Sequence, residues 1–303
     1  MHDIIGDIHG HADHLEALLL KMGYTIKNGS YAHPERKALF VGDYIDRGPK
    51  IRKTLKIVRR MVESGNAIAL MGNHEYNAIC FHYPESEGGH LRKHEIKNII
   101  QHFKTLKQFE NRQDTYNEYI DWFKTLPLYY ETEHFRAVHA CWDDAHIDFL
   151  RRSLKEDKLT GELIFQAAKK GSPLYEAVEI VLKGKEIALP EGITFKDKDG
   201  AIRKDIRIKW WENPALFTFK QLSVEPIQDL PDEPIDPSHL PDSSYYAESE
   251  KPVFFGHYWL KGNPSIFKKN ICCLDYSVAK CGYLAAYRYD NEEILSAGKL
   301  VYV

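Results

Sequence analysis

The first eighty residues repeat one pattern of apolar and polar positions three times. In each repeat a short apolar run ends in Gly-Asp or Gly-Asn, and a stretch with helical spacing of apolar residues follows. The pattern predicts strands at 4–5, 38–41 and 67–71, with helices beginning near 12, 49 and 74. Strands that alternate with helices predict a largely parallel sheet, whose polar loop residues gather at the carboxyl ends of the strands.

Two further helical regions are expected after residue 81. Residues 90–126 predict two polar helices, and residues 145–183 predict charged ones. In the first region, four apolar residues at helical spacing share one stripe: Ile96, Ile99, Ile100 and Phe103. Strand character returns in five stretches: 129–140, 253–255, 271–274, 283–289 and 300–303.

The remaining segments predict connections rather than core elements. A turn at Asp199-Gly200 joins two short runs and predicts a hairpin. Residues 226–242 are rich in proline and acidic side chains, which predicts an extended surface connection. We therefore predict a single domain over 1–303, with helical, cap-like insertions at about 81–126 and 145–250.

Composition narrows the class of protein. The chain has 303 residues, is 43% apolar and carries a net charge of −3, so bulk attraction to nucleic acid or to anionic membranes is not expected. No run of about 18 apolar residues is present, so no membrane span is expected either. The five cysteines are predicted to be reduced thiols. The chain opens directly on strand-like sequence rather than a signal peptide, so we expect a cytoplasmic protein.

The polar residues at the predicted strand ends have the chemistry of a two-metal site. Two divalent ions held close together need one bridging ligand, and the carboxylate of Asp43 on the central loop can supply it. Asp7 and His9 are two residues apart, so both can reach one ion. Asn73, His139 and His257 add an amide oxygen and two imidazoles. This mixed nitrogen and oxygen set favours Mn, with Fe, Zn, Co or Ni as alternatives, over Ca.

Three motifs carry a resemblance to a known family: GDIHG at 6–10, GDYIDRG at 42–48 and GNHE at 72–75. They resemble the calcineurin-like metallophosphoesterase superfamily, and more closely its phosphoprotein-phosphatase branch, which includes bacterial diadenosine tetraphosphatases. The resemblance implies an α/β fold in which a sandwich of two mixed β-sheets is flanked by helices. It also implies a site with two metal ions that activate a water molecule.

The resemblance also implies a role for each motif residue. Asp7 and His9 are expected to bind the first metal, Asp43 to bridge, and Asn73, His139 and His257 to bind the second. Three residues are expected to act on the substrate: His74 as the general acid, Asp46 as the residue that orients it, and Arg47 as a ligand of the phosphoryl oxygens.

Other residues depart from the family pattern or lie outside it. Trp259 stands where the wider superfamily often has another metal-binding histidine, so water is expected to complete the first metal. In that branch a basic residue near a tryptophan-containing segment binds phosphate, and Arg207 or Lys209 could take this role. Histidines outside the motifs, including His102, are expected to be surface or hydrogen-bonded side chains, with His11 as the exception because it is next to the first motif.

These observations predict a metal-dependent hydrolase of phosphorylated substrates. The leading hypothesis is a phosphatase for phosphoserine or phosphothreonine in proteins. The alternatives are a symmetrical bis(5'-nucleosyl)-tetraphosphatase, or a phosphatase for nucleotides or nucleic-acid ends. The expected partners are therefore phosphoproteins, nucleotides or dinucleoside polyphosphates. A metal-binding regulatory module without catalysis is the rival from another class, and it should lack His74, Asp46 or a ligand, yet all are present.

Overall fold

The three apolar runs of the first part of the chain form strands, and a helix follows each of them. The computed structural model describes residues 1–85, 88–196, 200, 202–236, 240 and 245–303. In chain order the first elements are β1 (His2–Ile5), α1 (Ala12–Lys21), β2 (Thr25–Lys27), β3 (Ser30–Ala32), β4 (Lys37–Phe40), α2 (Ile51–Glu63), β5 (Ala67–Ala69) and α3 (Asn73–His82).

The later part of the chain contributes more helices and the strands of a second sheet. Its helices are α4 (Ile96–Gln108), α5 (Gln113–Phe123), α6 (Asp144–Ser153), α7 (Glu162–Ala168), α8 (Pro173–Lys183) and α9 (Phe219–Leu222). Its strands are β6 (Tyr129–Glu131), β7 (Arg136–Val138), β8 (Glu186–Ala188), β9 (Phe195–Lys196), β10 (Ile202–Arg203), β11 (Asp205–Arg207), β12 (Val253–Phe255), β13 (Ile271–Cys273), β14 (Asp275–Tyr276), β15 (Tyr283–Tyr289) and β16 (Leu300–Tyr302).

Two mixed sheets form the centre of the fold. The first has the order β14-β15-β1-β4-β5, with β16 beside β15, and its strands β1, β4 and β5 are parallel. The second has the order β13-β12-β7-β6, in which β12 runs parallel to both β7 and β13. The predicted two-sheet sandwich flanked by helices is therefore confirmed.

Alternation along each strand explains why the sheets pack in this way. Ile4 joins an apolar cluster with Phe254 and Tyr287 between the two sheets, whereas its neighbour Ile5 lies in the cluster that includes residues of α1. Phe254 is followed by Phe255 on the opposite face, which packs near Trp210 with ring centroids 5.0 Å apart. Strands with two apolar faces need a layer on each side, and this places the helices outside the sandwich.

One part of the predicted insertions is wrong. Helices do fill 96–123 and 144–183, but the segment after Lys183 forms short strands rather than a helical cap. Strand β8 pairs with β11, and Ile187 and Ile206 pack with Leu222 in a small apolar cluster of their own. Each of these strands has a single buried side chain at its centre, a pattern too short for periodicity to reveal.

The predicted connections agree with the structure where it describes them. Strands β9 and β10 pair antiparallel as a hairpin, although Asp199 of the predicted turn lies outside the described residues. The described part of the 226–242 connection, residues 226–236 and 240, contains no helix or extended strand, and 237–239 and 241–242 lie outside the description. All five cysteines are free thiols, as predicted.

Helix α4 presents its surfaces in an unexpected way. Its apolar stripe faces outward, with Ile96 78% exposed and Ile100 69% exposed. Its buried residues are the polar Asn98, His102 and Thr105. Within the described part of the chain, no helix has the length and apolar character that a membrane span requires.

Candidate active site

The ends of strands from both sheets meet at one rim of the sandwich. Asp7 follows β1, Asp43 follows β4, and Asn73 begins α3 after β5, while His139 follows β7 and His257 follows β12. All five side chains are at least nine-tenths buried. Their position matches the expectation that ligands bind at the carboxyl ends of parallel strands.

Two glycines allow the central loops to approach each other. Gly42 has a φ of +117°, a conformation that side chains disfavour. A Cβ atom on Gly42 would lie 2.6 Å from the Cα atom of Gly72, so neither loop could keep its place with a larger residue there.

Two groups of side chains could each hold a metal ion, and both contain Asp43. His9, Asp43 and His74 form one group, and Asp43, His139 and His257 form the other, with ligand atoms within 4.8 Å of one another in each. The Oδ2 atom of Asp43 lies 3.5 Å from His9 Nε2, and its Oδ1 atom lies 3.5 Å from His139 Nε2. One carboxylate therefore faces both groups, each with a different oxygen.

The amide oxygen of Asn73 belongs to the second group. It lies 3.0 Å from His139 Nε2 and 2.9 Å from His257 Nδ1. An amide oxygen between two imidazole nitrogens and a carboxylate is a donor set that suits a transition metal.

Hydrogen bonds to backbone carbonyls direct the lone pairs of two histidines toward this centre. The Nδ1 atom of His9 lies 3.0 Å from the Ile45 carbonyl, and that of His139 lies 2.9 Å from the Val41 carbonyl, so each Nδ1 is the protonated nitrogen. Burial lowers the pKa of His9 to about 4 and also lowers that of His139, which favours neutral rings. The lone pair on Nε2 of His9 therefore faces Asp43 Oδ2, and that of His139 faces the amide oxygen of Asn73.

These side chains provide the nitrogen and oxygen atoms that a metal cation needs as ligands, and a cation would remove the repulsion between their lone pairs. Among the described residues, the buried atoms Asp7 Oδ1, His9 Nε2 and His257 Nε2 have no hydrogen-bond partner. Burial, and after it the charges of Asp275 and Asp43, raises the pKa of Asp7. Facing lone pairs and crowded carboxylates are costly without positive charge, whereas a divalent ion converts both into coordination.

Asp7 lies at the edge of the centre rather than inside either group. Its Oδ2 atom accepts the backbone N–H of His257 at 3.0 Å. Its Oδ1 atom packs so closely on Gly256 that a Cβ there would lie 1.9 Å away. The predicted pairing of Asp7 with His9 on one ion therefore stays a prediction, while His74 is the residue whose nitrogen groups with His9 and Asp43.

Glu75 holds the loops of Asp43 and Gly72 through hydrogen bonds to their backbones, a role that the sequence did not reveal. Its Oε2 atom accepts the N–H groups of Asp43 at 2.9 Å and Gly72 at 3.0 Å, and its Oε1 atom accepts that of Tyr44 at 2.8 Å. Burial, followed by the charge of Asp43, raises the pKa of Glu75 to about 8. The side chain of Glu75 therefore joins the Asp43 loop to the Gly72 loop. Its position in GNHE, three residues after a glycine N-cap, was the available signal.

His74 and Asp46 form the predicted pair. The Nδ1 atom of His74 lies 2.5 Å from Asp46 Oδ2, and its Nε2 atom lies 4.0 Å from Asp43 Oδ2. Burial opposes a charge on His74, but Asp43 and then Asp46 outweigh it and raise its pKa. The imidazole can therefore carry a proton whose Nε2 position faces the metal-binding groups.

A cavity of about 320 Å³ opens beside His74 and His257. Arg47 lines it on the side of the GDYIDRG loop, and Arg203 and Arg207 line it on the side of the β8–β11 segment. Phe195, Ile227 and Trp259 add apolar surface, while Glu186, Asp205 and Glu225 add acidic groups. Described residues between Glu186 and Ile227 thus supply one wall of the site.

The structure separates the two basic residues proposed for phosphate binding. Arg207 lines the cavity, and its Nη2 atom donates to Glu186 Oε1 at 3.2 Å. Lys209 instead donates from Nζ to the carbonyl of Gln221 at 2.7 Å. Strand β11 ends at Arg207, and the side chain of Lys209 bonds to the backbone after α9 instead of lining the cavity.

Trp259 is a wall of the cavity where the wider superfamily often has a histidine ligand. Its ring lies 5.2 Å from that of His9, and the guanidinium of Arg47 lies 5.2 Å from its centroid. The cation–π contact holds the arginine head beside the metal-binding groups. Trp259 therefore supports the side chain of Arg47 at the position where the wider superfamily often has a ligand.

Comparisons with known proteins give a family profile, curated relatives and a solved structure that resemble the chain. The profile of the calcineurin-like phosphoesterase family matches residues 3–183, more than half of the chain. The chain is 31% identical over 175 residues to a bis(5'-nucleosyl)-tetraphosphatase PrpE [asymmetrical] of Oceanobacillus iheyensis, covering 57% of this chain and 68% of that protein. It is also 31% identical over 177 residues to the protein of that name in Bacillus subtilis, covering 57% and 70%. A serine/threonine phosphatase structure from Saccharomyces cerevisiae aligns with a TM-score of 0.48 and 13% identity, covering 100% of this chain and 78% of that one.

Proposed function

The chain belongs to the calcineurin-like phosphoesterase family and is a metal-dependent phosphoesterase, and we propose that it hydrolyses dinucleoside polyphosphates at a centre of two metal ions. The cavity carries this proposal, because it joins the metal-binding groups to three arginines and to aromatic side chains. A chain of phosphates needs several positive groups in a row, and a nucleoside at its end needs apolar surface.

Six residues would hold the two ions. Asp7, His9 and Asp43 would bind the first, and Asp43 would bridge to the second, which Asn73, His139 and His257 would complete. Mn²⁺ fits this mixed nitrogen and oxygen set, as do Fe, Zn, Co and Ni. When bound, such ions acidify a coordinated water and neutralise charge on the phosphoryl group.

The remaining residues would handle the substrate. Arg47, held against Trp259, would bind phosphoryl oxygens with its planar fork of N–H donors. His74 would donate its Nε2 proton to the leaving oxygen, and Asp46 would keep the proton on Nδ1 and stabilise the imidazolium. A leaving phosphate chain departs more easily when its oxygen is protonated or bound by a cation, and Arg207 lies where it could bind the next phosphate.

The relatives' names support the same substrate class over the phosphoprotein expected from sequence motifs alone. Those names specify asymmetrical cleavage, which produces ATP and AMP from diadenosine tetraphosphate and water, whereas the symmetrical reaction anticipated from the resemblance produces two molecules of ADP. Arg203 and Arg207 line the same cavity as Arg47, and they would bind phosphates beyond the one that is attacked.

Product analysis tests the proposal directly. The purified protein with Mn²⁺ should be assayed against diadenosine tetraphosphate, ATP, p-nitrophenyl phosphate and a phosphoserine peptide. We expect the highest kcat/KM for diadenosine tetraphosphate, with ATP and AMP as products. A clear preference for the phosphopeptide would favour the protein-phosphatase alternative and overturn the proposed substrate class.

A further inference from the structure

Helix α4 contacts the loop that carries Asp46 and Arg47 through its polar face. Lys104 donates from Nζ to the carbonyl of Arg47. Gln108 accepts the N–H of Ile51 at 2.7 Å and donates to the carbonyl of Gly48 at 3.3 Å. The helix therefore holds the loop by hydrogen bonds, while its apolar stripe is left facing outward.

The most buried of these contacts converge on Asp46. Thr105 Oγ1 accepts the backbone N–H of Asp46 at 3.0 Å and donates to its Oδ1 atom at 2.5 Å. His102 Nδ1 lies 2.8 Å from the same Oδ1 atom. The other oxygen, Oδ2, faces His74. Hydrogen bonds to Oδ1 thus fix the Asp46 carboxylate so that Oδ2 faces the imidazole of His74.

A tyrosine from the next helix completes the chain of hydrogen bonds. The hydroxyl of Tyr116, on α5, lies 2.5 Å from His102 Nε2. Its ring stacks on Phe109 with centroids 4.7 Å apart, and its side chain is 1% exposed. Burial, and then the charges of Asp46 and Glu75, raises the pKa of Tyr116, so the hydroxyl keeps its proton.

This order of donors fixes the tautomer of His102. Because the carboxylate of Asp46 can only accept, His102 donates to it from Nδ1, and Nε2 of a neutral ring then accepts the hydroxyl proton of Tyr116. Without the hydroxyl, the proton can move to Nε2 and leave a lone pair of Nδ1 facing the carboxylate. Asp46 would then lose a donor and rotate away from the geometry that holds His74.

We propose that His102 and Tyr116 are positioning residues that act through Asp46 on His74 and set the efficiency of leaving-group protonation. The proposal rests on the proposed role of His74 as the general acid. It assigns a function to the 81–126 insertion, which supplies both residues and which the metal-binding motifs do not include. Burial disfavours a charged Asp46, but hydrogen bonds from His102 and His74 lower its pKa, which keeps it a carboxylate.

The test compares single hydroxyl deletions on the same helix. Tyr116→Phe removes the donor to His102 and keeps the ring in its stack on Phe109. Tyr119→Phe is the matched control, since Tyr119 also packs against Phe109, with centroids 5.7 Å apart, but lies outside the chain of hydrogen bonds to Asp46. His102→Leu removes the donor to Asp46, and His102→Asn restores an N–H near the same position.

The readout is kcat and KM for phenyl phosphate and p-nitrophenyl phosphate with Mn²⁺, beside metal content and melting temperature. We expect Tyr116→Phe and His102→Leu to lower kcat for phenyl phosphate by about 10–100-fold, the usual range for outer-shell positioning groups. The loss should be smaller for p-nitrophenyl phosphate, whose leaving group needs little protonation. KM should stay unchanged, His102→Asn should recover part of the loss, and Tyr119→Phe should resemble the wild type.

Two results would overturn the proposal. Equal losses on both substrates would mean that the pair supports folding or phosphate binding, and an unchanged Tyr116→Phe would mean that the hydroxyl does not act on Asp46. His74→Ala separates this failure from that of the proposed function. If His74→Ala shows the leaving-group dependence and Tyr116→Phe does not, only the positioning role is wrong. If neither shows it, the general-acid role itself is wrong.

Discussion

Glu75 accepts the backbone N–H of Asp43 at 2.9 Å, and so one buried carboxylate fixes the position of another. The same side chain accepts the N–H groups of Gly72 and Tyr44. Three donors from two separate loops therefore point at two oxygens. The position of Asp43, which belongs to both candidate metal groups, is therefore tied to the Gly72 loop through Glu75.

The first prediction concerns that contact. Glu75→Gln replaces one oxygen with an NH₂ group, which must then face at least one backbone N–H, so the Asp43 loop should shift. We expect the affinity for Mn²⁺ to fall by about 10–100-fold, the range found when outer partners of metal ligands are changed. Calorimetric titration measures it. Glu63→Gln, on an exposed residue at the end of α2, is the control. An unchanged affinity in Glu75→Gln would show that the Asp43 and Gly72 loops keep their positions without this contact.

The second prediction concerns the proton donor. His74→Ala should retain its metals and lose turnover by about 10²–10⁴-fold on an alkyl phosphate, the usual contribution of general acid catalysis. A smaller loss is expected on p-nitrophenyl phosphate. Metal analysis with kinetics on both substrates checks the prediction, and His14→Ala on the exposed face of α1 serves as the control. Loss of metal from His74→Ala would instead identify His74 as a ligand, as its grouping with His9 and Asp43 allows.

The third prediction uses the different positions of two basic residues. Arg207→Ala should raise KM for diadenosine tetraphosphate by about 10–100-fold, since hydrogen bonds to charged groups contribute roughly 1.5–3 kcal/mol. Lys209→Ala should leave KM within about twofold, because its ammonium group is bound to the Gln221 carbonyl. Steady-state kinetics of both variants checks this. A larger effect at Lys209 would mean that the chain rearranges when substrate binds.

The sequence predicted those parts of the site whose geometry is set by neighbouring residues. Asp7, Asp43 and Asn73 each follow a glycine at a strand end, so local pattern alone placed them at one rim. His102 reaches Asp46 across 56 residues, and the wall with Arg203 and Phe195 comes from strands of two residues. Such contacts depend on how insertions fold back, which hydrophobic periodicity does not encode.

Helix α4 shows most clearly why periodicity has this limit. Its apolar stripe is regular enough to predict a helix, and a buried apolar face would be the usual consequence. In the structure the buried face is instead polar, because it supplies hydrogen bonds to the loop of Asp46 and Gly48. The helix itself was predictable from its pattern, but the face that it buries depends on hydrogen bonds to the loop of Asp46 and Gly48.

The fourth prediction concerns stability. Metal ions that relieve facing lone pairs at His139 and Asn73 should stabilise the folded chain, by about 2.7 kcal/mol when the free ion is at 100 times its Kd. Chelation should therefore lower the melting temperature, and Mn²⁺ should restore it, in differential scanning calorimetry. In Asp43→Asn the response to Mn²⁺ should nearly vanish, because the amide lacks the charge that both ions would share. An equal response in that variant would place the stabilising ion elsewhere.

The central claim is that Asp43 bridges two metal ions, and an anomalous difference map from crystals grown with Mn²⁺ tests it most directly. We predict two peaks on either side of the Asp43 carboxylate, one beside His9 and the other among Asn73, His139 and His257. A single peak, or two peaks that do not share Asp43, would contradict the account.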